Sequence, residues 1–391
     1  MGRENKPGVV ISFIAFLASV VILSLLSVTL WGEKPEKKLT QKALTYQGEM
    51  TVAEFGKANQ IPDAVLKTIL GLVSKGDLQK KLKEFPLSQA ELTSNVNRSL
   101  ALEAEHESKN WVKIPIKFIL WFLFLGIVFV RMKKSQVSVR NRSWQLLTGV
   151  SVFGIILGSD TSPMGTVKDA LVLLGKSGAV FPPRMIALTI FLIMVFTANK
   201  FICSWGCQFG AFQDFIFRLN RDGKDRKGIM RQFKPPFAVT NAIRILFFVI
   251  FTLTALLWGV DLIGPVDPFK TFMPTKLGIL GILSIVALSI SSLWIYRPWC
   301  QVFCPFGLVG WVIEKKSWFK IHVDYKTCVA CEACAKACPS TVMDAILKQE
   351  RVIPDCFSCA TCIETCPTQS IRFESGKRER PPEGKFKRKN G

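Results

Sequence analysis

Histidine and tyrosine are scarce in this chain, whose 391 residues include only two histidines and three tyrosines. None of the twelve cysteines is followed by histidine in a C-x-x-C-H pattern, which argues against covalent c-type haem. The two histidines, His106 and His322, fall in segments predicted below to lie on opposite sides of a membrane, so they cannot jointly ligate a b-type haem. The sequence also has no glycine-rich nucleotide motif and no base–nucleophile constellation, so it predicts no catalytic centre of these kinds.

Acidic residues are few as well. The chain has 29 acidic and 51 basic residues and a formal net charge of +22, while 49% of its residues are hydrophobic and its mean hydropathy is +0.30. A net positive charge of this size is compatible with nucleic-acid binding. The high apolar content and the distribution of the charges favour a membrane protein instead, and nucleic acid is not a predicted partner.

Six apolar stretches approach the roughly 20 residues that a transmembrane helix needs. They are Val9–Trp31, Ile114–Val130, Trp144–Gly158, Ile186–Phe201, Val239–Val260 and Leu277–Tyr296. The first stretch is longer than a signal-peptide core and is followed by no small-x-small cleavage site, so residues 1–31 are predicted to be an uncleaved anchor. The fold class is therefore a mainly α, polytopic membrane protein with about six transmembrane helices.

Lysine and arginine are concentrated in one alternating set of segments between these stretches. That set comprises residues 1–8, 131–143, 200–237 and 297–391, with 31 basic and 14 acidic residues. The other set comprises residues 32–112, 159–185 and 260–276, with 17 basic and 15 acidic residues. The positive-inside rule then places both termini in the cytoplasm and residues 32–112 in the periplasm. The basic tail, residues 375–391, is predicted to lie beside anionic membrane lipid.

Residues 32–112 form the only sizeable outer segment. Helical spacing predicts helices over residues 51–56, 64–72 and 88–107, with a break and N-cap at Ile61-Pro62-Asp63. The segment contains no cysteine and one histidine. It is predicted to be a small helical docking domain.

The most specific motif lies in residues 328–367. Cys328-x2-Cys331-x2-Cys334-x3-Cys338-Pro recurs 28 residues later as Cys356-x2-Cys359-x2-Cys362-x3-Cys366-Pro. In this pattern three thiolates wrap one [4Fe–4S] cubane and the fourth reaches the other cluster. The predicted ligand sets are Cys328, Cys331, Cys334 and Cys366 for cluster 1, and Cys356, Cys359, Cys362 and Cys338 for cluster 2. A zinc site or a disulfide framework does not predict this duplicated spacing.

Residues 320–374 are thus predicted to form a small α+β two-cluster ferredoxin-like domain. Short strands are predicted at Lys320–Val323, Ala345–Leu347, Arg351–Ile353 and Ser370–Phe373.

The remaining four cysteines form a second repeat, Cys203-x3-Cys207-Gln-Phe-Gly and Cys300-x3-Cys304-Pro-Phe-Gly, offset by 97 residues. Residues 113–143 are predicted to form the second span and a basic cytoplasmic loop. Residues 144–319 are predicted to form a core of two repeated two-helix units, each of which ends in C-x3-C at the cytoplasmic surface of the membrane. Two thiols at i and i+4 share one helix face. The alternatives are a third iron–sulfur or metal centre, a redox dithiol pair, or buried structural thiols.

Residues 140–374 resemble the membrane polyferredoxin family of the NapH, MauN, NosR and CcoG kind, and the NapH type most closely. The resemblance is carried by Cys300–Cys304–Pro305, Cys203–Cys207 and the eight cluster cysteines; Gln208 departs from it, because the family usually has proline there. The resemblance implies a multi-pass protein of a bacterial or archaeal cytoplasmic membrane. It also implies electron exchange between the quinone pool, or a cytoplasmic donor, and a periplasmic redox system.

The predicted function is that of an electron-transfer subunit of a respiratory complex, with other subunits and soluble electron carriers as partners. The alternative is an assembly or regulatory protein that reduces a metal or matures a periplasmic metalloenzyme. Residues 32–112 lack the flavin-attachment motif of the NosR type. If quinol is oxidised, Asp160 and Asp267 on the outer loops are candidates for proton release, although both could simply begin turns beside Pro163 and Pro268.

Overall fold

The computed structural model describes residues 6–31, 44–72, 75–85 and 87–386, and this part of the chain is mainly helical. The helices are α1 Lys6–Trp31, α2 Val52–Asn59, α3 Asp63–Leu70, α4 Gln89–Glu107, α5 Lys113–Lys133, α6 Val139–Val150, α7 Pro163–Ser177, α8 Pro182–Ala198, α9 Gln208–Leu219, α10 Phe237–Trp258, α11 Ile279–Ser291, α12 Pro298–Val302, α13 Pro305–Glu314, α14 Ala333–Ala337, α15 Val342–Lys348 and α16 Thr361–Thr365. The strands are β1 Phe319–Val323 and β2 Ile371–Ser375.

Three of the described helices are long and apolar enough to cross a membrane: Lys6–Leu30 of α1, α5 and α10. The other predicted spans correspond to shorter helices. α8 has 17 residues and α11 has 13, while α6 continues into a π-helical turn at Ser151–Ile156. The count of six spans therefore stays a prediction.

The predicted outer domain has a core of its own. Thr51 and Ser88 cap α2 and α4, and each forms a capping box with the glutamate three residues later. α3 begins at Asp63 after Pro62. Val52, Phe55, Leu66, Leu92 and Val96 pack between these helices. The three predicted helices are confirmed, and the domain rests on α7 through Ala101, which packs against Leu173.

The ferredoxin-like domain contains one two-stranded antiparallel sheet, in which Ile321 pairs with Phe373. The strands predicted at Lys320–Val323 and Ser370–Phe373 correspond to β1 and β2. The strand predicted at Ala345–Leu347 is wrong, because these residues lie inside α15. The residue that follows this helix, Gln349, has the left-handed conformation of a C-cap. Arg351–Ile353 form no strand either. A short apolar run does not distinguish a buried strand from a buried helix.

The helical core has two halves, residues 139–219 (α6 to α9) and residues 237–314 (α10 to α13). In the first half α6 packs along α9, and α10 packs on α12 and α13 in the second. The ferredoxin-like domain docks at the C-terminal end of α5, where the Phe129 ring lies 5.2 Å from that of Phe319 and 5.7 Å from that of Phe373. Arg142 of α6 also pairs with Glu364 at 2.9 Å. The domain is therefore packed onto the helices rather than tethered beside them.

Candidate iron–sulfur centres and the cysteine quartet

The eight ferredoxin-type cysteines divide between two cavities. The first is lined by Cys328, Cys331, Cys334 and Cys366. The second is lined by Cys338, Cys356, Cys359 and Cys362. In both cases the fourth cysteine comes from the other sequence motif, as the predicted ligand sets require.

The loops that carry these cysteines bend in the same unusual way. Ala330 and Glu332 have φ of 54°, and their counterparts 28 residues later, Ser358 and Ala360, have φ of 51° and 63°. A left-handed residue on each side of the central cysteine curls the chain, so that three sulfurs face one cavity. Non-glycine residues adopt this conformation only where the surroundings impose it. The duplicated bends fit a loop that wraps a compact cofactor.

Polar groups surround the sulfur atoms. The Ser370 amide donates to the Sγ of Cys366 at 3.3 Å, and the hydroxyls of Ser340 and Thr368 lie 3.7 and 3.6 Å from the sulfurs of Cys338 and Cys366. Burial raises the pKa of the Cys356 thiol to about 12. Thiolates in this setting are costly unless a cation neutralises them. The donor set therefore suits a buried iron–sulfur group held by thiolates.

The C-x3-C motifs differ from the prediction in one respect. Cys203, Cys300 and Cys304 are buried in the protein, and their place at the cytoplasmic surface of the membrane stays a prediction. However, the two cysteines of a motif do not share one helix face. Cys203 lies in a π-helical turn, Ile202–Gly206, and Cys207 is the N-cap of α9. Cys300 lies in α12, and Cys304 is the N-cap of α13. Each motif therefore breaks the helix between its two cysteines.

The four cysteines of these motifs nevertheless come together across the two halves, and we call them the cysteine quartet. The thiol of Cys304 interacts electrostatically with those of Cys203, Cys207 and Cys300. The Gly307 amide donates to the Sγ of Cys304 at 3.3 Å, in keeping with its capping position. Among the described residues, no three cysteine, histidine or acidic side chains converge closely enough for a single metal ion. That holds for the ferredoxin cysteines too, so it does not distinguish the two sets.

Two buried cations link the halves, and the motif analysis missed both. Lys200 and Arg297 stand three residues before the first cysteine of each C-x3-C motif and are offset by the same 97 residues. Lys200 donates to the carbonyl of Gly307 in the second half at 2.7 Å. Arg297 donates to the carbonyl of Cys203 in the first half at 2.6 Å. An alignment of the two repeats that began three residues before their first cysteines would have identified these two cations.

The same cations touch the loop of the second ferredoxin cavity. The ring of Phe357, which follows Cys356, has the Lys200 Nζ 5.5 Å and the Arg297 guanidinium 5.1 Å from its centroid. Asp355, on the other side of Cys356, pairs with Lys200 and lies 2.9 Å from Arg244. The Trp205 indole donates to the Ser358 carbonyl at 3.1 Å. This loop is therefore fastened to both halves of the core beside the cysteine quartet.

Asp160 and Asp267, the candidates for proton release, both take part in ion pairs. Asp160 pairs with Lys109 at 2.7 Å. Asp267 pairs with Lys168 at 2.6 Å, and its carboxylate also accepts from the Phe269 amide at 3.0 Å. Asp267 therefore caps the turn that follows, as the structural alternative predicts.

Comparison with known families agrees with this division of the cysteines. The 4Fe-4S binding domain family matches residues 180–227 and again residues 277–324, with the offset of the C-x3-C repeat. The 4Fe-4S dicluster domain family matches residues 320–367. These matches support an iron–sulfur protein, and the three long apolar helices are consistent with a membrane protein.

Two relatives were found by sequence. The chain is 28% identical over 187 residues to the "Putative electron transport protein YccM" of Escherichia coli, a match that covers 46% of this chain and 52% of that protein. This chain thus spans about half the length of that relative. It is also 22% identical over 233 residues to the "Uncharacterized protein MJ0749" of Methanocaldococcus jannaschii, covering 58% of this chain and 82% of that protein. No solved structure matches the chain.

Proposed function

We propose that this protein is a membrane-bound electron-transfer subunit that exchanges electrons between the quinone pool and redox partners on the cytoplasmic side. Residues Cys328, Cys331, Cys334 and Cys366 would hold one [4Fe–4S] cluster, and residues Cys338, Cys356, Cys359 and Cys362 the other. These groups supply one-electron chemistry, which suits the stepwise oxidation of a two-electron donor. The charge asymmetry of the loops supports a cytoplasmic ferredoxin-like domain and a periplasmic outer domain.

One observation carries the proposal. The loop between Asp355 and Ser358 is buried in the membrane core, where Phe357 contacts cations from both halves. A ferredoxin-like domain that served only soluble partners would not need its second cysteine loop beside the membrane helices. This packing instead favours exchange of electrons between the membrane core and the second cavity.

The cysteine quartet is a candidate third centre in this scheme. Cys203, Cys207, Cys300 and Cys304 come from two halves and lie beside the second cavity loop, and all but the half-buried Cys207 are buried. A redox dithiol and a purely structural role are the alternatives. Each cubane takes four irons and four cysteines, so two clusters predict about eight irons per chain and three predict about twelve.

Iron and acid-labile sulfide analysis of the purified protein tests these assignments. Replacing Cys334 or Cys356 by serine is expected to remove about four irons each, with loss of one of two electron paramagnetic resonance signals on reduction. The double variant Cys203→Ser with Cys300→Ser tests whether the cysteine quartet holds a cluster. An iron content near eight that this double variant leaves unchanged would rule out a third cluster.

Quinone exchange is tested separately. A menaquinol or ubiquinol analogue is added anaerobically to the oxidised protein in lipid nanodiscs, and bleaching of the iron–sulfur absorbance is followed. Reduction by quinol supports the proposal. Loaded protein that dithionite reduces but neither quinol analogue reduces would contradict it.

A further inference from the structure

The two cysteine cavities of the ferredoxin-like domain differ in what closes them. The lining of the second cavity includes Tyr296 of the helical core, and three of its four cysteines are buried. In the first cavity one cysteine is buried, two are half-buried and Cys331 is exposed. Among the described residues that line this first cavity, Phe386 is the one that lies outside residues 320–374. The first cavity is therefore the more open of the two, and a residue of the C-terminal tail forms part of its wall.

Phe386 is the only aromatic residue of the basic tail, residues 375–391. Its side chain is buried, and its ring lies edge-on 6.2 Å from the ring of Tyr325. Tyr325 is itself buried and stands three residues before Cys328, the first cysteine of the cavity. Burial of a phenylalanine side chain is worth about 1.5–3 kcal/mol, so this contact favours a tail that stays on the domain.

Hydrogen bonds fix the path of the tail between the sheet and the cavity. The Gly376 amide donates to the Trp318 carbonyl at 3.2 Å, and the Arg378 Nε donates to the Ile321 carbonyl of β1 at 3.0 Å. Further on, the Lys385 Nζ donates to the Tyr325 carbonyl at 2.6 Å. The tail is thus anchored near both ends of residues 376–386, and the second anchor holds Phe386 beside the first cavity.

We propose that residues 376–386 are the outer wall of the first cluster site, with Phe386 as a cover that limits the access of water and small solutes to the cluster. The inference rests on the assignment of a cluster to this cavity under the proposed function, and it adds a part of the site that lies outside the cysteine motifs. The apolar shell around a metal group controls its exposure to solvent. The helical core supplies part of that shell for the second cavity, and the tail does so for the first.

Two pairs of variants separate the cover from the charge of the tail. Phe386→Ala removes the ring without changing the charge, and Phe386→Leu keeps an apolar side chain in its place. A chain that ends at Glu383 lacks both Lys385 and Phe386. Its matched control is a chain that ends at Phe386, which keeps the cover and loses three basic residues of the tail.

The test measures iron release to 2,2′-bipyridine, a neutral Fe²⁺ chelator, from the iron-loaded protein in lipid nanodiscs under anaerobic reduction by dithionite. Electron paramagnetic resonance shows which cluster is lost, since the Cys334 and Cys356 variants described above assign the two signals. Phe386→Ala and the chain ending at Glu383 are expected to lose the first cluster about tenfold faster, because burial of the ring no longer holds the tail closed. Phe386→Leu and the chain ending at Phe386 should release iron nearly as slowly as the wild type.

The rate of loss of the second cluster should stay the same in all four variants. A Phe386→Ala protein that is purified with the second cluster but without the first would also support the cover. Wild-type release rates in Phe386→Ala, or equal acceleration at both clusters, would overturn it while leaving the proposed function intact. Wild-type protein that binds no cluster in the first cavity would contradict the proposed function instead.

Discussion

Lys200 and Arg297 occupy equivalent positions in the two halves of the core, yet their surroundings differ. Arg297 makes four hydrogen bonds in the other half of the core: one to the Cys203 carbonyl, two to Ser204 and one to its ion-pair partner Asp214 at 2.6 Å. Lys200 contacts the Gly307 carbonyl and Asp355, which belongs to the ferredoxin-like domain. Both cations thus join the two halves and contact the Phe357 ring, but their carboxylate partners differ. Arg297 pairs with a carboxylate of the core, whereas Lys200 pairs with one of the ferredoxin-like domain.

Methionine at these two positions should separate their contributions to stability. Arg297→Met removes four buried hydrogen bonds, although Asp214 keeps Arg218 at 2.8 Å, and is expected to cost about 3–5 kcal/mol of unfolding free energy. Lys200→Met removes two hydrogen bonds and leaves Asp355 paired with Arg244 at 2.9 Å, so it is expected to cost less, about 1–3 kcal/mol. Denaturant unfolding in detergent measures both. Arg297→Lys and Lys200→Arg are the charge-preserving controls, and equal losses in the two methionine variants would contradict the proposed asymmetry.

The glycines of the two Phe-Gly pairs allow a finer comparison of the halves. A Cβ at Gly210 would lie 2.5 Å from the Cys203 carbonyl oxygen, whereas a Cβ at Gly307 would lie 2.8 Å from that of Cys300. Both approaches are too close for a real side chain, and overpacking of this kind costs about 1–3 kcal/mol. Gly210→Ala should therefore destabilise the protein slightly more than Gly307→Ala in the same unfolding measurement.

Gly126→Ala in α5 is the matched control, because no atom lies within 4 Å of the position of its Cβ. A helix-interior alanine there should be neutral or stabilising by about 0.5–1 kcal/mol. Should Gly210→Ala behave like Gly126→Ala, the close approach of α9 to the Cys203 carbonyl would be wrong.

The difference between local and distant contacts also explains what the sequence could predict. The cysteine loops, the caps at Thr51 and Ser88 and the outer strands of the ferredoxin-like domain follow from residues close together in the chain. The helix break at each C-x3-C motif does not, because it depends on distant contacts such as that of the Trp121 indole of α5 with the Gly206 carbonyl. The partners of Lys200 and Arg297 were equally out of reach, since each pairs with residues far along the chain.

The smallest effect is expected at Phe357, where the two halves and the ferredoxin-like domain meet. Phe357→Leu keeps an apolar side chain but removes the ring shared by Lys200 and Arg297. Cation–π contacts are each worth about 0.5–2 kcal/mol, the larger value applying to desolvated sites. Part of the loss should disappear in a Lys200→Met background, because that contact is already absent. A double-mutant cycle of unfolding free energies measures this coupling. Additive losses would mean that the ring fills space beside Lys200 without interacting with it.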